Sequence, residues 1–203
     1  EDFLKDVYTS IYKKWILFQQ IDNCQIMLSS KDQNKIITIF ASYNSTRYIC
    51  AIKYTIIMAY PVLSIANKIL AYGAAANDEG ELFSNMKLQK LLYYVQGFHI
   101  AVFNRPLFNE DIEAWMYGPV VPAVYEYYQE NGNKGIMPNE KPITLEAEEE
   151  SLFNEVLRIY GNYSAIGLMN FTHNEMPWQS TPTGKGHIIT KEKLGEFFHT
   201  RLA

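Results

Sequence analysis

Between residues 86 and 103, Leu88, Leu91, Leu92, Val95, His99 and Val102 recur at i, i+3, i+4, i+7, i+11 and i+14. That spacing brings all of them to one side of a 3.6-residue helix and is far too long for a strand. A helix with such a stripe has to be covered, so the rest of the chain is read as the elements that cover it. Ser84 or Asn85 is placed to cap its start. Gly97 falls in mid-helix, where glycine costs about 1 kcal/mol against alanine. A glycine there marks close packing of another backbone.

The flanking segments have their own signals. Pro61 suits the first turn of a helix, and Val62, Ile65, Ala66, Ile69 and Leu70 continue it to about Ala76. Residues 111–117 alternate Ile112, Ala114 and Met116 against Glu113, Trp115 and Tyr117, a strand pattern that Gly118-Pro119 is expected to break. A helix is expected from Val121 or Pro122 to Glu130, stopped by Asn131-Gly132. Another starts near Thr144 or Leu145, with Glu146, Glu148, Glu149 and Glu150 in its first turns, where the helix dipole favours them. Its buried stripe is Leu152, Phe153, Val156, Leu157 and Tyr160, and Gly161 stops it. A short helix follows Ser164, the 173–178 segment reads as loop, Ile188-Ile189 as a short strand, and Thr190 caps a last helix. The fold class is mainly α (α+β): a compact helical domain with a small β element.

Residues 1–57 differ from this. All 11 glycines and all 8 prolines lie after Ile57, and both cysteines, Cys24 and Cys50, lie before it. The net charge of −4 divides into +2 over residues 1–57 and −6 over 58–203. The early segment is rich in residues with AT-rich codons, and the chain starts with Glu1 rather than Met. The expectation is that 1–57 come from an over-extended reading frame and that the natural protein begins at Met58. The alternative is a genuine extension, with an amphipathic helix over 3–18 and strands over 35–41 and 47–52.

Composition also narrows the function classes. A pI near 5.6 argues against a nucleic-acid partner held by phosphate attraction. No apolar run approaches the roughly 18 residues needed to span a bilayer. No signal-peptide layout is read, and a cytoplasmic location is the default. Two cysteines cannot build a metal cage or a disulfide framework. Gly184-Lys185-Gly186 lacks the strand and spacing of a phosphate-binding loop. No cofactor or metal site is read. His99, on an apolar helix face, is a hydrogen-bonded core histidine. His173 with Glu175 is the best acid–base pair, because a carboxylate raises imidazole basicity. The competing and favoured reading has His173 tying its loop to a backbone carbonyl. The 146–150 acidic cluster is read as a solvated helix start, with a basic partner as the lesser alternative.

The aromatic load is more informative. Tyr93, Tyr94, Trp115, Tyr117, Tyr125, Tyr127 and Tyr128 fall within 36 residues, more than one helix–strand–helix needs for its own core. Tyrosine and tryptophan dominate protein interfaces. Core and interface stand about even for Tyr93, Trp115 and Tyr125, while Tyr94 and Tyr127 look exposed and lean to interface.

Met86-Lys-Leu-Gln-Lys-Leu-Leu-Tyr-Tyr-Val-Gln-Gly-Phe-His99 resembles the signature helix of the SocA-like antitoxin, or Panacea, domain. So do Arg105-Pro-Leu-Phe, Ile112-Glu-Ala-Trp-Met-Tyr-Gly-Pro-Val-Val-Pro122 with Tyr125, and Thr172-His-Asn-Glu-Met-Pro-Trp178. The resemblance spans residues 58–203, and 1–57 match nothing in it. It implies a non-enzymatic antitoxin of a bacterial or prophage toxin–antitoxin system, whose partner is its cognate toxin protein. A second implied role is that of an adaptor presenting the toxin to a ClpXP-type protease; a hydrolase using His173 and Glu175 ranks below both. Partner-binding residues by motif position and exposure are Lys87, Lys90, Tyr93, Tyr94, Gln96, Trp115, Tyr117, Tyr125, Tyr127, His173 and Trp178.

Overall fold

A computed structural model describes residues 59–76 and 82–202, together with the backbone of three strands nearer the N-terminus. The chain forms two compact units, one of them Thr9–Ala59 and the other containing Tyr60–Ala203. In the first, strands β1 (Gln25–Ser30) and β2 (Ile37–Ser42) pair antiparallel, Gln25 opposite Ser42 and Ser30 opposite Ile37. The short strand β3 (Tyr54–Thr55) pairs with the other edge of β2. The strand expected over 35–41 is β2. The helix expected over 3–18 and the strand over 47–52 lie outside the described residues.

The second unit is built around one helix. Helix α1 (Val62–Ala76) starts with the Ile65 N–H donating to the Pro61 carbonyl, and buries Val62, Ile65, Ala66, Ile69 and Leu70 as the spacing predicts. Helix α2 (Asn85–Phe103) is the striped segment. The Ser84 hydroxyl accepts from the Lys87 N–H, and Asn104, at φ 53°, ends the helix in the left-handed region that asparagine tolerates.

The stripe understates how α2 is buried. Its second face is buried too, and the polar side chains there clamp the backbone of later segments. Gln96 donates to the Phe108 carbonyl at 2.8 Å and accepts from the Leu107 N–H at 2.8 Å. Gln89 accepts from the Val121 N–H at 2.8 Å, and Lys90 donates to the Pro119 carbonyl at 2.9 Å. Irregular backbone packed against a core needs such partners. A polar residue on α2 therefore signals a chain segment crossing it rather than solvent.

Gly97 behaves as expected, with one correction: a ring lies over it rather than a backbone. A Cβ there would fall inside the ring of Phe198. Phe198 belongs to helix α7 (Lys191–His199), which Thr190 caps through the Lys193 N–H. Its ring sits 4.8 Å from Phe98 and 5.3 Å from Tyr93 in edge-on geometry.

The expected strand is real but shorter, and Gly118-Pro119 extend the sheet instead of ending it. β4 (Ile112–Trp115) turns through Met116-Tyr117 into β5 (Gly118–Val120), pairing Trp115 with Gly118 and Ala114 with Pro119. Gly118 takes φ 92°, which glycine adopts without strain. Pro119 is tolerated because β5 is an edge strand. β6 (Ile188–Ile189) pairs with the other edge of β4, giving the order β5-β4-β6.

Helix α3 (Pro122–Tyr128) runs into a 3-10 turn over Gln129–Asn131. Helix α4 (Ala147–Tyr160) starts a little later than expected, because Glu146 and Glu149 form a capping box. Helix α5 (Ala165–His173) is capped by Ser164, and the segment read as loop includes a single helical turn, α6 (Met176–Gln179).

Candidate functional site

The hairpin β4–β5, the first turns of α2, helix α3 and the start of α5 enclose an open groove of about 760 Å³. Its floor holds Asn85, Gln89 and Lys90 from α2, its walls Trp115, Val120 and Tyr125, and its rim Met116, Tyr117 and Ile166. The rim side chains are large, apolar and solvent-facing: Met116 is 68% exposed, Tyr117 65% and Ile166 63%. Two of the three are the hairpin's turn residues, so the fold holds them away from any core.

A second layer supports the hairpin from below. The Trp178 indole N–H donates to the Trp115 carbonyl at 3.1 Å. The Trp115 indole N–H donates to Glu113 at 2.7 Å, and its ring meets Tyr125 edge-on at 5.0 Å with the Lys185 ammonium 5.0 Å away. His173 stacks on Trp178 at 4.0 Å. Burial and the nearby Lys90 charge lower its basicity, opposed by a hydrogen bond to the Met116 backbone. His173 thus ties its segment to the hairpin backbone.

Glu175 does not pair with His173. Its carboxylate is buried against α2, where the Tyr94 hydroxyl donates to it at 3.0 Å. Burial pushes this carboxyl up, and the tyrosine hydrogen bonding partly opposes the rise. The acid–base pair read from sequence proximity is not assembled, because α5 ends between the two residues and sends them to different surroundings.

The other predicted residues divide by burial. Trp115, Tyr117, Tyr125 and Lys90 come together at the groove, with His173 and Trp178 beneath the hairpin. Tyr93, Tyr94 and Gln96 lie in the interior. The exposure expected of Tyr94 is corrected: its ring stacks on Tyr160 at 3.9 Å, because α4 covers the face that α2 alone leaves open. Lys87 is buried with its ammonium 4.2 Å from the centre of the Phe83 ring. Tyr127 is exposed but lies away from the groove lining, accepting from Asn139 at 3.1 Å.

Sequence reasoning missed Met116, Ile166 and Met169 in the groove; the first two carried only the signal of apolar residues next to turns, and Met169, in mid-helix, carried none. It also misplaced Glu149. Within the acidic cluster expected to be solvated, Glu149 is 2% exposed and bonded to His99 at 2.9 Å, to the Tyr60 hydroxyl at 2.7 Å and to Arg105. Glu150 pairs with Lys68 at 2.8 Å. His99 is the core histidine that was expected, its other ring nitrogen 2.8 Å from the Arg105 carbonyl.

Among the described residues no group of three or more His, Cys, Asp or Glu could hold a metal ion, and no helix is long and apolar enough to cross a membrane. Among the described residues the arrangement is a turn presenting apolar side chains over a recess whose lining includes one cation, Lys90.

Comparison with known proteins agrees with the motif resemblance. Residues 88–179 match the family described as Antitoxin SocA-like, Panacea domain. The chain is 31% identical over 136 residues to Antitoxin SocA of Caulobacter vibrioides (strain NA1000 / CB15N), an alignment covering 61% of this chain and 71% of that protein. No solved structure matches it. With most of the signature helix, the aromatic hairpin and the His173–Trp178 support inside the matched region, the chain belongs to the SocA-like antitoxin family with a Panacea domain.

Proposed function

We propose that this protein binds a cognate toxin protein directly and neutralises it by covering the toxin's working surface. Residues 58–203 carry the activity. The observation that supports the reading best is the exposed rim of Met116, Tyr117 and Ile166 around an open groove. Contiguous apolar surface of this kind marks interaction sites, and aromatic anchors in pockets supply most of the binding energy in protein interfaces. Two of the three rim residues sit on a hairpin braced by Trp178 and His173 and the third on a helix, so little ordering entropy is lost on binding. Trp115, Tyr117 and Tyr125 are the anchors in this reading, and the buried motif residues Tyr93, Tyr94 and Gln96 act by holding the helix that carries the groove.

The test is growth rescue. The full chain is co-expressed with the product of the neighbouring gene, in hosts with and without a ClpXP-type protease. Direct neutralisation predicts rescue in both hosts, a stable complex on co-purification, and loss of both with Tyr117→Asp and Ile166→Asp. Rescue confined to the protease-containing host means the chain is an adaptor for degradation. Rescue unaffected by the rim variants refutes the groove as the contact surface.

A further inference from the structure

The floor of the groove carries a charge that nothing else in the described residues answers. Among the described residues Lys90 is the one charged residue lining the groove, and it is 1% exposed. Its neighbours on the floor are committed elsewhere. Gln89 accepts from the Val121 N–H and donates to Asn85 at 2.9 Å, while Asn85 donates to the Tyr125 carbonyl at 3.1 Å. Lys90 differs. An ammonium has three donors, and one of them is used, on the Pro119 carbonyl at 2.9 Å. No described carboxylate forms an ion pair with it.

The titratable group facing Lys90 from the packed elements is His173 at the end of α5, which carries the same sign when protonated. The hairpin confines the stem as well: a Cβ on Gly118 would lie 2.8 Å from Lys90 Cε. A buried cation without a counter-ion is costly, and the cost falls when a carboxylate arrives with good geometry. Burial accordingly lowers the Lys90 amine to about 7. Around it the walls are Trp115 and Tyr125, and the rim is apolar.

We infer that the groove recognises a carboxylate: an aspartate or glutamate side chain of the toxin, flanked by apolar residues, descends to pair with Lys90 Nζ while its flanks pack on Met116, Tyr117 and Ile166. The inference rests on the groove being the toxin-contact surface and adds the chemistry of the toxin's anchoring residue. It gives the site a means of selection. A toxin presenting only apolar groups gains no ion pair there, and one presenting a cation is repelled, so the partner with the carboxylate is favoured. With the chain's net charge at −4, long-range attraction favours a basic toxin, and the Lys90 contact sets register rather than encounter rate.

The test is a double-mutant cycle between the full chain and the product of the neighbouring gene, read by calorimetry. Lys90→Met removes the charge at similar volume, and Lys90→Gln keeps a donor near Pro119; thermal melts check that each variant folds. Each exposed Asp and Glu of the toxin is changed to Asn or Gln, which leaves this chain's fold untouched. The expected result is a loss of about tenfold or more in affinity on removing Lys90, matched by one toxin carboxylate, with no further loss when both are removed. Unchanged affinity for the Lys90 variants, with binding still abolished by Tyr117→Asp, overturns the inference and leaves the docking surface standing. A cycle in which no toxin carboxylate couples to Lys90 also overturns it. Wild-type binding that survives Tyr117→Asp and Ile166→Asp sinks the groove reading itself.

Discussion

Replacing Glu149 with glutamine should destabilise the protein in a way that depends on pH. Burial by itself would raise this carboxyl; hydrogen bonds from His99 and Tyr60, and the charges of Arg105 and His99, outweigh it and hold the group at about 2 against an ordinary value of 4.5. A carboxyl depressed in the folded state stabilises it above the unfolded value and loses that contribution as pH falls through the folded one. Worked from these two values, the stabilisation at pH 7 is about 3 kcal/mol, and roughly 1 kcal/mol of it remains at pH 3. Urea denaturation of wild type and Glu149→Gln at both pH values is the assay. The gap between the two proteins should shrink by about 2 kcal/mol on acidification. A gap of the same size at both pH values would show that Glu149 acts through packing and that the charge network is not the stabilising element.

Three further outcomes are expected. Gly97→Ala pushes a methyl group into the Phe198 ring; overpacking of about 1–3 kcal/mol should lower the melting temperature on the order of 5 °C, and Phe198→Leu should recover part of it. Burial lowers the Lys90 amine to about 7 from 10.5, so the unfolded chain binds the extra proton between those values and stability rises with pH there. Relative to Lys90→Met, wild type should gain roughly 2 kcal/mol between pH 7 and 9, followed by denaturant titration. His173→Ala should lower stability by about 1 kcal/mol through loss of the Trp178 stack, seen as a lower urea midpoint; unchanged stability with lost growth rescue would contradict its structural role.

The legible parts of this fold are the local ones. The α2 stripe, the Ser84 and Thr190 caps and the use of Gly97 follow from neighbours three or four residues apart. The Met116-Tyr117 turn was hidden because Gly118-Pro119 also signals a break, and only pairing with β4 turns it into an edge strand. His173 and Glu175 look like partners at two residues' separation, but a helix end between them gives one to Trp178 and the other to Tyr94. The groove was legible in its aromatic half. Met116 and Ile166 were not, because an apolar residue beside a turn has the same one-dimensional appearance whether a core or solvent receives it.

The sequence by itself determined the central helix, the mainly helical character and the motif that ties the chain to its family, since each depends on side-chain spacing along one continuous segment. Tertiary structure decided which residues of those segments are available. Tyr94 is enclosed because α4 stacks Tyr160 on it, and Glu149 turns inward because helical rotation places it opposite His99 and Arg105. Lys90 becomes, among the described residues, the one cation lining the groove because a hairpin from elsewhere in the chain packs beside it. Burial is a property of what arrives from distant sequence, and periodicity within one helix carries no information about that arrival.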